Sequence, residues 1–195
     1  MDIIQDLEKG RILKMEINRV WAMPNKWTFT IKPIKKLLNR YVGDGVGWVD
    51  PYCGQNSPAE LTNDLIEKAN FNMDALEFLK TRLDNEFIGV ILDPPYSLRQ
   101  VSEHYKKVGF KVTGWHTSAG YNSSLKNEAM RILSPGGVCI SFGWNSMGLG
   151  KNRGFEIIEI LLVPHGGSKN DTIVTVERKI QHGLREDKDR EVEND

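Results

Sequence analysis

The amino-acid sequence predicts an α/β protein with a doubly wound, mainly parallel sheet and a C-terminal antiparallel hairpin. From Trp48 onward, short apolar runs alternate with amphipathic stretches, as strands and helices do in such sheets. The run FIGVIL at 87–92 is apolar and interrupted only by Gly89, which is typical of a strand buried on both faces. Near the end, the β-rich runs EIIEILLVP and TIVTVERK are separated by HGGSKND and predict the hairpin.

The other elements follow in order along the chain. GWVDPYCG predicts a first strand that ends in a Pro/Gly turn, and SPAELTNDL predicts a second short strand that ends on Asn63 and Asp64. Apolar residues recur at helical spacing in MDALEFLKTRL and predict a helix over 73–83. SSLKNEAMRILSPGG predicts a further helix that is closed by Ser-Pro-Gly-Gly, and VCISFGW predicts the strand after it.

Length and composition are those of one folded domain. The 195 residues include 39% apolar side chains, enough for a core, and we expect a domain over 1–180 with a basic N-terminal arm. A charged, disordered tail is expected over 181–195. The sequence lacks a signal-peptide layout and the ~20-residue apolar run of a membrane helix, so a cytoplasmic location without a membrane partner is expected. Cys53 and Cys139 fit no zinc or disulfide spacing, and no metal site is expected.

The charges cancel overall but are segregated along the chain. With 26 basic and 26 acidic side chains, the formal net charge is zero. This argues against a protein that binds nucleic acid through its overall positive charge. Residues 1–40 hold nine basic and four acidic side chains, 41–96 hold three and ten, and 97–131 hold six and two. An acidic segment therefore lies between two basic ones, and a local basic face around an acidic pocket is expected.

The acidic segment places carboxylates where strands end. Asp50, Asp64 and Asp93 each follow a predicted strand, and Asp74 opens the helix after the second. Ligands of such folds bind outside the carboxyl ends of the strands. A row of carboxylates without His or Cys partners is able to bind a hard cation or to hydrogen-bond hydroxyls and amines, and both interpretations stay open on this pattern alone.

The segment Asp93-Pro94-Pro95-Tyr96 directly follows the FIGVIL strand. As four letters alone it favours a simple turn, but its position at the end of a buried strand favours a functional loop. It resembles the catalytic loop, [DNS]-P-P-[YFW], of the amino-methyltransferases that act on N6 of adenine in DNA. The resemblance implies that all four residues are catalytic and that the fold is of the class I, Rossmann-like type.

The chemistry of an exocyclic amine agrees with this resemblance. The amine is a poor nucleophile because its lone pair is delocalised into the ring, and acceptors aimed at both N–H bonds free that lone pair. The Asp93 carboxylate and the Pro94 carbonyl are suitable acceptors, and two consecutive prolines fix the backbone without competing N–H donors. The Tyr96 ring is suited to stack on a base flipped out of the duplex.

Two further segments resemble the same family and imply S-adenosylmethionine as the cofactor. Val49-Asp50-Pro51-Tyr52-Cys53-Gly54 is similar to its D-P-F-x-G element, although the family usually continues G-S-G where this chain has Gln55-Asn56-Ser57. Lys32-Pro33 looks like its K-P-x-x-L element, although a proline-capped helix start is an equal interpretation.

The resemblance spans roughly 28–180 and extends to the remaining cofactor contacts. It implies that Asp64 lies near the ribose hydroxyls and that Asp74 and Ala75 lie near the adenine amine and ring. For Asp74, a helix N-cap is a compatible interpretation. The implied cofactor-binding residues are Lys32, Pro33, Asp50, Pro51, Tyr52, Gly54, Asp64, Asp74, Ala75 and Asp93.

The segment after the catalytic loop interleaves basic and aromatic residues, which suits phosphate contacts and base stacking. A solvated helix and loop is the simpler alternative for any single lysine. The predicted nucleic-acid contacts are Arg99, Lys106, Lys107, Lys111, Trp115, Lys126, Lys151 and Arg153. No stretch is long enough for a separate target-recognition domain, so short or relaxed sequence specificity and a monomer or homodimer are expected.

The resemblance therefore implies an S-adenosylmethionine-dependent DNA adenine N6-methyltransferase, an orphan or phage-borne enzyme of bacteria. Methylation of an RNA base amine is the first alternative, since ribosomal RNA methyltransferases share such a tetrapeptide. The second alternative is a catalytically inactive subunit of this fold that binds nucleic acid, which the departure after Gly54 favours.

Overall fold

The computed structural model describes residues 15–95, 97–109, 113–116, 118–167 and 169–180. Its strands are β1 (Glu16–Arg19), β2 (Trp48–Asp50), β3 (Leu61–Thr62), β4 (Phe87–Leu92), β5 (Leu133–Gly143), β6 (Phe155–Val163) and β7 (Thr172–Lys179). Its helices are α1 (Lys32–Tyr41), α2 (Ala75–Lys80), α3 (Leu98–Lys107) and α4 (Ala119–Ile132), with short 3-10 turns at Thr28–Thr30 and Lys151–Arg153. The first fourteen residues of the predicted basic arm and the predicted tail over 181–195 lie outside the described residues.

The strands form one sheet in the order β1-β6-β7-β5-β4-β2-β3. The pairs β3–β2, β2–β4, β4–β5 and β1–β6 are parallel, whereas β7 is antiparallel to both β5 and β6. The predicted mainly parallel sheet with a C-terminal antiparallel hairpin is therefore confirmed. The carboxyl ends of β2, β3 and β4 meet at one edge, because these three strands are parallel neighbours.

Apolar side chains fill the space on both faces of the sheet. Val90 and Leu92 of β4 pack in one cluster with α2 and α4, and Ile91 packs in a second cluster with α1. Successive side chains of a strand point to opposite faces, so the buried positions 90–92 need apolar residues on both faces, whereas Ile88 is 57% exposed. The prediction of a strand buried on both faces therefore holds for residues 90–92.

Two predicted boundaries differ from the structure. The predicted helix over 73–83 is shorter, because Asp74 is the N-cap of α2 and the helix ends at Lys80, with Thr81 as its C-cap. The Ser-Pro-Gly-Gly segment does not close α4 but lies inside β5, where Leu133 pairs with Phe87 and Val138 pairs with Gly89. Residues 134–137 are therefore an irregularity in the strand, which Pro135 favours because it has no N–H to donate.

None of the helices in the described ranges has both the length and the apolar character needed to cross a membrane.

Candidate functional site

One cavity of about 390 Å³ lies at the edge where β2, β3 and β4 end. The three loops that follow these strands contribute 51–56, 64–67 and 93–95 to its wall. The rest of the wall comes from the segment before α1, the start of α2 and one side of α3, namely Lys26–Phe29, Met73–Ala75, Gln100, His104, Tyr105 and Lys107. Predicted cofactor and catalytic residues from separate parts of the sequence are thus brought together.

Asp50 lies beneath the first loop and is fully buried. Its carboxylate accepts a hydrogen bond from the Tyr52 N–H at 2.9 Å and another from the Ser57 hydroxyl at 2.7 Å. Burial raises the pKa of Asp50 to about 7 against the lowering effect of these bonds, and the charges of Asp93 and Asp64 raise it further. Asp50 holds the loop from below, whereas Pro51, Tyr52 and Gly54 line the cavity.

Asp64 joins the second loop to the first. Its Oδ2 accepts a hydrogen bond from the Gly54 N–H at 3.1 Å, and its Oδ1 accepts from the N–H groups of Ile66 and Glu67, both at 2.8 Å. The side-chain amide of Gln55, the residue after Gly54, donates a hydrogen bond to the Glu67 carboxylate at 2.7 Å. The residues that replace the expected G-S-G continuation therefore close the loop through side chains.

Asp74 is the N-cap of α2, as one of its two interpretations predicted. Its Oδ1 accepts from the Glu77 N–H at 3.0 Å. Its Oδ2 accepts from the hydroxyl of Tyr121 at 2.8 Å and also from the hydroxyl of Tyr105. Ala75 follows as a buried residue in the cavity wall.

The predicted catalytic loop leaves β4 at the same edge. Asp93, Pro94 and Pro95 are partly buried and line the cavity. Tyr96, the fourth predicted catalytic residue, lies outside the described residues.

Within the described residues, Lys32 and Pro33 are not part of the cavity wall. They form the first turn of α1, where a proline loses no helical hydrogen bond. The chain just before them lines the cavity instead, with the Lys26 ammonium 4.4 Å from the centre of the Trp27 ring. Sequence reasoning missed this segment, whose signal was an Asn-Lys-Trp turn in which Asn25 accepts from the Trp27 N–H at 2.7 Å.

The predicted nucleic-acid residues fall into two groups. The first group is exposed: three of its members, Arg99, Lys106 and Lys107, lie on α3, and Trp115 follows that helix. Lys107 is also part of the cavity wall, and Arg99 forms an ion pair with Glu103 at 2.7 Å. Lys151 is also exposed, on a separate turn, and Lys111 lies outside the described residues.

The second group is engaged within the fold. Lys126 is partly buried and donates to the Gly148 carbonyl. Arg153 donates to Asn127 at 2.8 Å, to the Leu149 carbonyl at 3.1 Å and to Ser123 at 3.0 Å. Lys126 and Arg153 already donate hydrogen bonds within the fold, so a phosphate would compete with these acceptors for the same N–H groups.

Comparison with known proteins gives matches among solved structures. The chain resembles the 1,6-didemethyltoxoflavin-N1-methyltransferase of Burkholderia thailandensis, crystallised with bound 1,6-didemethyltoxoflavin and S-adenosylhomocysteine, at 12% identity and a TM-score of 0.51 over 77% of this chain and 78% of that one. It also resembles a Listeria monocytogenes protein assigned to the class I S-adenosylmethionine-dependent methyltransferases, at 16% identity and a TM-score of 0.52 over 77% of this chain and 59% of that one. No protein-family model and no curated sequence matches the chain. The fold is that of the class I, Rossmann-like methyltransferases.

Proposed function

We propose that this protein transfers a methyl group from S-adenosylmethionine to the N6 amine of adenine in DNA. The observation that carries the proposal is the meeting of Asp93-Pro94-Pro95 with the loops after β2 and β3 in one cavity. The class I methyltransferase fold supports the reaction type, and the tetrapeptide supports the amine as the target.

The cavity suits a cofactor of this kind. Its volume of about 390 Å³ lies within the about 300–1,000 Å³ of small-molecule sites. When bound, S-adenosylmethionine supplies an electrophilic methyl group on a sulfonium. The cofactor also bears hydroxyl and amine groups and a positive charge. The carboxylates of Asp64, Glu67 and Asp93 in the wall are suited to accept hydrogen bonds from these groups and to attract the charge. The predicted residues that would hold it are those in the wall, namely Pro51, Tyr52, Gly54, Asp64, Asp74, Ala75 and Asp93.

The catalytic loop is suited to orient the target amine. The Asp93 carboxylate accepts one N–H of the base and the Pro94 carbonyl accepts the other, so that the nitrogen lone pair points towards the methyl group. Pro94 and Pro95 carry no N–H groups that would compete for these acceptors. Because the loop is fixed before the base arrives, little reorganisation is needed during methyl transfer.

The charge distribution supports a nucleic-acid substrate. Lys26 and Lys107 lie in the wall of a cavity that also contains Asp64, Asp74 and Asp93. On this proposal the carboxylates face the cofactor and the base, and the cations face the phosphates.

The direct test is incubation with labelled cofactor and either DNA or RNA, followed by mass spectrometry of the nucleosides. We expect label in N6-methyladenine from DNA, and a loss of about 100-fold or more in Asp93→Ala, because the variant lacks one preorganised hydrogen-bond acceptor. Asp44→Ala is the matched control, since Asp44 is exposed and is not part of the cavity wall.

Three outcomes would overturn the proposal or part of it. Label in RNA alone would replace the DNA substrate by an RNA base amine. An active Asp93→Ala enzyme would refute the assigned mechanism. Absence of cofactor binding in calorimetry would indicate an inactive subunit of this fold.

Restriction mapping tests the predicted short or relaxed specificity, which protection at one long site alone would refute.

A further inference from the structure

Asp74 is the point at which three elements around the cavity are joined. Its carboxylate receives the Glu77 N–H from α2 at 3.0 Å, the Tyr121 hydroxyl from α4 at 2.8 Å and the Tyr105 hydroxyl from α3. Burial raises the pKa values of Tyr105 and Tyr121, so both hydroxyls keep their protons and act as donors.

Tyr105 is the main attachment of α3 to the rest of the domain. Among the described side chains of α3, Tyr105 alone is buried, and the others are exposed or partly buried. Its ring also packs on His116, with 4.7 Å between the ring centres. A helix with one buried side chain depends on the contacts of that side chain for its position.

The same helix is directly linked to the catalytic loop. Ser97 caps α3 by accepting from the Gln100 N–H at 3.2 Å, so the helix begins only three positions after Pro95. Gln100, His104 and Tyr105 of α3 form one wall of the cavity. A shift of α3 therefore moves that wall and the end of the catalytic loop together.

We propose that Tyr105, through its hydrogen bond to Asp74, positions the Asp93-Pro94-Pro95 loop against the cofactor cavity. The inference rests on the proposed function and adds a positioning residue to it. On the proposed function, Asp74 would contact the cofactor and α3 would lie beside the target base, so this bond would set the distance between the two. A misplacement of about 1 Å is enough to slow an enzymatic step by about 100-fold.

The test is Tyr105→Phe, which keeps the buried ring and removes only the hydroxyl. We expect kcat for methyl transfer to fall about 10-fold or more, while the cofactor Kd measured by calorimetry changes by less than about twofold. Tyr41→Phe is the matched control, because the Tyr41 hydroxyl also donates to a carboxylate, that of Glu159 at 2.8 Å, at a site remote from the cavity wall. We expect its kcat to stay within about twofold of wild type.

A double-mutant cycle identifies the partner. In an Asp74→Asn background, Tyr105→Phe is expected to have little further effect on kcat, because the bond is already altered. An unchanged kcat in Tyr105→Phe, a loss of cofactor affinity as large as the loss of kcat, or fully additive effects in the cycle would each overturn the proposal.

A second measurement separates this inference from the proposed function. Hydrogen exchange of the α3 amides is expected to become faster in Tyr105→Phe, while exchange in α4 stays unchanged. If the wild-type protein methylates no nucleic acid, the proposed function fails, and the exchange experiment still decides whether Tyr105 anchors α3. Unchanged protection of α3 would refute the anchor whatever the activity.

Discussion

The backbone N–H of Gly54 donates to Oδ2 of Asp64 across the carboxyl edge of the sheet, at 3.1 Å. Gly54 follows β2 and Asp64 follows β3, so this bond closes one side of the cavity where two strands end. The backbone of Gly54 has a φ of 54°, in the left-handed region that favours glycine. The chain thus forms this loop with a single glycine, where the family it resembles uses a glycine-rich one.

Replacement of Gly54 by alanine is expected to weaken cofactor binding. A Cβ at this position has open space, so the expected cost of about 1–2 kcal/mol comes from the left-handed backbone alone. The loop would then lose the geometry that points its N–H at Asp64, and we expect a cofactor Kd raised roughly 5- to 30-fold in calorimetry.

Gly43→Ala is the matched control, since Gly43 has a φ of 61°, equally open surroundings and no place in the cavity wall. Both variants should lose similar thermal stability, but Gly43→Ala should keep wild-type cofactor affinity. Equal affinities in the two variants would contradict the assigned role of the Gly54 loop.

Neutralising two lysines of α3 is expected to weaken DNA binding in a salt-dependent way. Lys106 and Lys107 are exposed, and each phosphate contact that is lost reduces the slope of log K against log salt by about 0.9. The double variant Lys106→Gln/Lys107→Gln should therefore show a slope smaller by about 2 in fluorescence titrations. Lys68→Gln/Lys80→Gln changes the net charge equally and should keep the wild-type slope, and equal slopes for both pairs would exclude α3 as the phosphate-binding face.

The sequence was sufficient for the sheet and for the place of the Asp93-Pro94-Pro95 segment at the carboxyl edge of the sheet, because both depend on local patterns. A continuous apolar run requires burial on both faces, and acidic residues after parallel strands must meet at one edge. The contacts of Tyr105 and Tyr121 with Asp74 were not predictable, since they join residues 31 and 47 positions apart. Lys26 and Trp27 were missed because their place in the wall depends on how the chain enters α1, which no periodicity records.

Gly89 is required by a contact between neighbouring strands, and its replacement by alanine is expected to destabilise the fold. Gly89 of β4 pairs with Trp48 of β2, and a Cβ on Gly89 would lie 2.3 Å from Cδ2 of the Trp48 ring. Trp48 is buried, so its ring has little room to move, and we expect a loss of about 1–3 kcal/mol in denaturant unfolding. In Gly89→Ala/Trp48→Leu the loss should be clearly smaller than the sum of the two single losses. Additive losses would show that the contact is not the cause.

Asp50 is expected to make the stability of the fold depend on pH. Its pKa is about 7 in the folded protein, mainly because the carboxyl is buried, against about 3.9 in an unfolded chain. Between these values the folded state binds more protons than the unfolded state, so the free energy of unfolding falls as the pH rises from about 4 to 7. The contribution of this one group is at most about 4 kcal/mol.

Asp50→Asn should remove this slope, since the amide carries no charge to bury and its oxygen still accepts from the Tyr52 N–H. Relative to wild type, the variant is therefore expected to gain stability between pH 5 and pH 8 in denaturant unfolding at fixed salt. Asp44→Asn provides the control for an exposed carboxylate and should parallel the wild-type curve. If Asp50→Asn also parallels wild type, then Asp50 keeps its charge throughout this range, and the loop after β2 is held by a buried carboxylate rather than by a carboxyl that gains a proton as the pH falls below 7.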